Sequence, residues 1–240
     1  MTATSPANPQ QVRLPGQAHV AEGPYDQTGM YIMHHAFRRD LARFETAVRR
    51  TPVDEAETWA ALSRRWERFG EILHHHHQIE DQSIWPLLTT HAIARLDNTA
   101  IAMLDDMEAE HGQIGPALAA CSEGFQLMVE HPCADHRSEL DGKVTAARAA
   151  LLEHLRHEET DALPFLQLVV DHRENQAIEA AAKKGYPFSA MPFMVPWGVD
   201  GIPVDLSERV MSEVGAVYRF LLRIFRGRYE RADARAFRHA

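Results

Sequence analysis

The chain reads as all-α: an up-down-up-down four-helix bundle with an additional C-terminal loop and helix. Three observations lead there. Apolar residues recur at helical spacing over long stretches. No stretch alternates apolar and polar residues as a half-buried strand would. One part of the chain also matches another at an offset of 77 to 78 residues. His34 and Leu41 map onto His111 and Leu118 at 77, while Leu73, His76, Glu80, Pro86 and Leu88 map onto Leu151, His154, Glu158, Pro164 and Leu166 at 78.

Residues 1–24 carry prolines and glycines at irregular spacing and no apolar period, which predicts an extended, mobile arm. From Gln27 the spacing of Tyr31, Phe37, Leu41, Phe44 and Val48 predicts a first helix, stopped by Thr51-Pro52. Trp59, Leu62, Trp66, Phe69, Leu73 and Ile84 form the stripe of a second, over Glu55 to Thr90, that Pro86 bends or ends. Asp97 or Asn98 caps a third, with Gly115-Pro116 as a kink and His131-Pro132 as the stop after Glu130. A fourth runs from His136 to Val170 with Pro164 near its end, and a weaker helical piece spans Asp171 to Gly185.

Residues 186–205 hold four prolines and several aromatics, which predicts an ordered loop anchored by apolar side chains. A last helix from Leu206 to about Phe237 would align Val210, Val214, Val217, Leu221, Ile224 and Phe225. The expected division is therefore an arm at 1–24, a bundle at 25–172 and a helical extension at 173–240 packed on the bundle.

Composition narrows the function. The 240 residues are 45% hydrophobic and 25% charged, an ordinary globular balance. A net charge of −9 argues against nucleic acid as a partner. No apolar run reaches the roughly 18 residues of a membrane span, and Met1 to Gly16 contains no apolar secretory core, so the expected location is cytoplasmic. Two cysteines, Cys121 and Cys133, are too few for a disulfide scaffold. Neither a G-x-S-x-G elbow nor a Gly-rich phosphate loop is present. The last 35 residues hold eight Arg against four acids, but that helix is expected to pack on the bundle, or on a second copy in a homodimer, with its arginines turned to water.

Fifteen histidines carry the chemical signal. A His and a Glu four residues apart lie on one helix face, so His76 with Glu80, and His154 with Glu158, can each reach one metal ion. His34 and His111 on the preceding helices complete four imidazoles and two carboxylates. His34 lies about 12 Å into its helix and the His76–Glu80 pair roughly 15 to 20 Å from the end of the next, so antiparallel packing brings them level. The second hairpin gives the same agreement. If Glu80 and Glu158 bridge, each of two ions receives two imidazoles and two carboxylate oxygens, with room for a bridging oxide or hydroxide and an open position. Mixed nitrogen and oxygen donors without thiolate suit iron or manganese, and also zinc, so ligand type alone does not choose the metal.

At these residues the chain resembles the haemerythrin family, in its HHE cation-binding branch, over about residues 27–170. The segments His76-His77-Gln78-Ile79-Glu80 and His154-Leu155-Arg156-His157-Glu158, each with Pro six residues after the Glu, are similar to that family's His-x-x-x-Glu pattern. The resemblance implies a bundle holding two oxo- or hydroxo-bridged iron ions that meet dioxygen, hydrogen peroxide or nitric oxide. The chain departs from the oxygen-carrying members on its third helix, where the positions four away from His111 are Met107 and Gly115 rather than a second His. Tyr31, Glu108 and Glu159, or His35, His75 and His157, are candidates to compensate as extra ligands or supporting groups, and Asp81 as a supporting group. Of the run His74 to His77, about 300° of helix, one or two members face inward.

Two functions follow. One is an oxidoreductase of catalase or peroxidase type that consumes peroxide or other reactive oxygen or nitrogen species, because an under-supplied centre has open positions. The other is a module that reversibly binds or senses dioxygen, nitric oxide or iron. An empty bundle would bury unpaired His and Glu at a heavy desolvation cost.

Overall fold

In the computed structural model, which describes residues 8–213 and 215–240, the repeated pattern becomes four long helical rods, and the described residues contain no strand. Rod one is α1 (Thr28–Arg50). Rod two is α2 (Ala56–Ile79), a π turn at Glu80–Ile84, and α3 (Trp85–Arg95). Rod three is α4 (Asn98–Glu130). Rod four is α5 (Ala134–His157), a π turn at Glu158–Ala162, and α6 (Leu163–Val169). No helix among the described residues is long and apolar enough to cross a membrane.

The π turns have a cause in the sequence. Pro86 and Pro164 have no N–H, and their rings collide with the carbonyl four residues back. The residue before each proline therefore bonds one position further: the Trp85 N–H donates to the Glu80 carbonyl, and the Leu163 N–H to the Glu158 carbonyl. Pro86 thus bends rod two without ending it. Rod two stops at Leu96, in the left-handed region at φ 55. Asp97 caps α4 through the Ala100 N–H at 3.0 Å, and the Cys133 sulfur accepts the His136 N–H at the start of α5.

Helix α4 continues through Pro116, where the carbonyl that loses its partner, Gly112, is on the exposed face. Several expectations are corrected. Residues 186–205 are largely helical, with α8 at Met191–Val199. Pro192 sits in its first turn, where a missing N–H costs nothing, and Val195 and Trp197 anchor it in apolar surroundings. The last helix is two: α9 (Val204–Glu213) and α10 (Ala216–Ala236), separated at Gly215, whose φ of 93 a helix cannot contain. Val214, expected on that helix face, lies outside the described residues, as do residues 1–7 of the arm. From Gln11 onward the arm is packed rather than free: Val12, Leu14, Val20 and Ala21 are buried, and the Ala21 N–H donates to the Tyr31 hydroxyl at 2.7 Å.

The core is aromatic. Phe44 has Trp66, Phe69, Phe125 and Phe237 around it at centroid distances of 4.9 to 5.9 Å. Helix α7 (His172–Gly185) is started by a capping box of Asp171 and Glu174. It ends against α2, where Ile79 leaves no room for a Cβ on Gly185. The α1–α2 side is covered by α8 and α10. There the fully buried Asp40 accepts from the Arg65 Nε at 2.9 Å and the Trp197 indole at 3.0 Å, while Arg65 also donates to the Tyr229 hydroxyl at 2.9 Å. Arg65 holds Asp40 below its ordinary value despite a burial cost that works the other way.

Candidate metal centre

Each hairpin delivers its groups to one depth. α1 brings His34, α2 ends on His76 and His77, and Glu80 opens the first π turn. α4 brings His111, α5 brings His154, and Glu158 opens the second π turn. The six residues expected from the sequence are all brought together. Two groups form, and Glu80 belongs to both: His34, His76, Glu80 and Glu158, and His77, Glu80, His111 and His154. Within each group the candidate ligand atoms lie within 4.8 Å of one another.

The candidate ligand atoms crowd around two shared centres. His76 Nε2 is 3.0 Å from Glu80 Oε1 and His34 Nε2 is 3.2 Å from Glu158 Oε2. On the other side, His111 Nε2 is 3.5 Å from Glu80 Oε2 and 3.1 Å from His154 Nε2. The Nε2 atoms of His34, His76 and His77 and all four carboxylate oxygens of Glu80 and Glu158 are buried without a hydrogen-bond partner. A buried polar atom without a partner is costly, and two cations, one at each group, would satisfy all seven. This donor set fits a metal pair.

Electrostatics agree. Burial, reinforced by His34, lowers the His76 pKa to about 3, and burial and His111 drive His77 lower still. Both rings are neutral donors at pH 7. Burial and the facing Glu158 raise Glu80 well above the carboxylate range. Glu158 is held low: burial acts against it, but His34 and His154 outweigh that.

Three outer carboxylates orient three of the rings. His34 Nδ1 meets Glu159 Oε1 at 2.8 Å, and Glu159 also takes the Arg38 guanidinium and the Ala18 N–H, each at 2.7 Å. His111 Nδ1 meets Asp81 at 2.7 Å, and His154 Nδ1 meets Glu110 at 2.8 Å. With Nδ1 engaged, each ring turns Nε2 inward.

His77 is the residue the sequence reading missed. His76 and His77 stand about 100° apart on α2, and both fall on its inward side, one toward each group. The signal was present in the run His74–His77, but periodicity alone does not say which two members face in. Glu110 was missed as well. Glu108, expected to support the site, is exposed: Met107 lies at the middle of α4's buried stripe, and Glu108, about 100° further round, faces water, whereas Glu110 turns toward α5. The other candidates have different employment. Tyr31 is buried with its hydroxyl on the Ala21 N–H, His35 Nδ1 faces the Pro15 carbonyl, His75 lies beside the Tyr186 ring, and His157 holds Glu110 at 2.9 Å.

The family described as Hemerythrin HHE cation binding domain matches residues 29–166, more than half of the chain. No curated protein and no solved structure matches. The matched span begins at the start of α1 and ends within α6, so it covers nearly all of the four rods and every residue of both His/Glu groups. The chain belongs to the haemerythrin HHE cation-binding family.

Proposed function

We propose that the two groups would hold two iron ions, His34, His76 and Glu158 serving one, His77, His111 and His154 the other, and Glu80 belonging to both. The observation that carries this reading is the set of seven buried, partnerless donor atoms at the two shared centres. When bound, such a pair supplies a redox-active position for dioxygen, hydrogen peroxide or nitric oxide.

The chain's own residues favour reversible binding. His77 brings the imidazole count to five and relieves the shortage on which peroxide turnover rested. Tyr31 and Phe37, both buried about one turn either side of His34 on α1, flank it with apolar rings, and Phe37 packs on the His76 ring at 5.3 Å with Trp197 behind it. Glu159, Asp81 and Glu110 fix the ring orientations. The uneven division, two imidazoles against three, favours turnover as a second reading, because it leaves the His34–His76 position less saturated. One preparation separates them. Iron-loaded chain whose visible spectrum changes with air and reverts under argon supports reversible binding. Oxygen evolution or peroxide consumption supports an oxidoreductase, and absence of bound metal contradicts both.

A further inference from the structure

We propose that the groove between α2 and α4 is the port through which a divalent cation reaches the centre, an inference that rests on the metal-pair reading above. The groove encloses about 500 Å³, and His77 and His111 belong to its lining. Both rings also belong to the His77/Glu80/His111/His154 group, so its inner end is the centre itself.

Three other sides carry packed or paired side chains among the described residues. On the His34 side, Glu159 is tied to the Ala18 N–H of the N-terminal segment and to Arg38. Behind His76 stand Phe37 and Trp197, both fully buried. Over His154 lie Glu110 and His157, joined at 2.9 Å.

The groove's chemistry suits a hydrated cation rather than a neutral molecule. Glu67, Glu71, His74 and Asp81 line it. Glu71 carries Arg68 at 2.7 Å, while Glu67 has no ion pair among the described residues. Asp81 spans the passage: its half-exposed carboxylate holds His111 Nδ1 at 2.7 Å, so it touches both the lining and a candidate ligand. A second observation, independent of the acidic residues, points inward to a ligand. His77 is 8% exposed, and its Nε2 has no hydrogen-bond partner. Gly70 and Gly115 keep the passage wide, since a Cβ on either would meet nothing within 4 Å.

The test is the rate of cobalt(II) uptake by chelator-stripped full chain, followed by visible absorption, with elemental analysis at completion. Gly70→Leu adds a side chain to the groove about two turns of α2 before His76 and His77, away from both His/Glu groups. It is expected to reach the wild-type cobalt content several-fold more slowly. Glu67→Gln/Glu71→Gln alters only exposed residues. It is expected to slow uptake about tenfold at low salt and to remove most of its salt dependence. Thermal melting of each stripped variant checks that it folds. Wild-type rates in both variants would overturn the port while leaving the centre intact. Wild-type chain that takes up no cobalt would overturn the metal pair, and the port with it.

Discussion

The imidazoles of His77 and His111 stack face to face, with centroids 3.9 Å apart and planes 14° apart. One comes from α2 and the other from α4, so the pair closes the gap between rods two and three. It supplies the ring that α4 lacks at Met107 and Gly115. His77→Ala is therefore expected to reduce bound metal from two ions to one per chain. His74→Ala, on the exposed side of the same run, should retain both. Elemental analysis checks this, and equal loss from the two variants would contradict the assignment of His77.

Glu159 acts on the centre through His34. Its carboxylate Oε1 lies 2.8 Å from His34 Nδ1 and sets the ring. Glu159→Gln is expected to weaken metal binding about 10- to 100-fold in chelator competition. Unchanged affinity would show that the ring holds its orientation without the carboxylate.

Asp40 ties the C-terminal helices to the bundle. Removing one partner of a buried pair costs about 3–5 kcal/mol, so Asp40→Ala should lower denaturant stability by that order. The pH sign follows from the depressed pKa of Asp40, which Arg65 holds down against burial. A carboxyl lowered on folding contributes stability above its unfolded value of about 3.8, and that contribution is lost as pH falls through the folded value. The stability gap between wild type and Asp40→Asn should therefore be constant above about pH 5 and shrink in acid. A gap independent of pH down to 2 would contradict the pairing.

Cys121 is fully buried on α4, and burial raises its thiol pKa to about 12. Cys133 is only half-buried, at the start of α5. At pH 8 a thiol reagent should label one cysteine in the native chain and two in denaturant. Rapid labelling of both in the native chain would show that the α4 face opens.

Much of this was legible in the sequence because it is periodic and duplicated. The His-x-x-x-Glu pairs put two candidate ligands on one face of each of rods two and four by helix geometry alone, and the 77 to 78 residue offset repeats that arrangement in the second hairpin. The two prolines that end those motifs also explain the π turns. What was illegible depends on rotation and tertiary reach. His77 and His74 look alike in the sequence, and only the approach of α4 separates them. Glu108 and Glu110 stand two residues, about 200°, apart around α4. Residues 186–205 looked like a loop because prolines cluster there, yet Pro192 falls where a helix tolerates it. The split at Gly215 depends on a single backbone angle.

The most direct measurement is anomalous diffraction from crystals of the iron-loaded chain. Two peaks are predicted, one among His34, His76, Glu80 and Glu158 and one among His77, Glu80, His111 and His154. A bundle interior without a peak, or metal held only by surface histidines such as His74, would contradict the account.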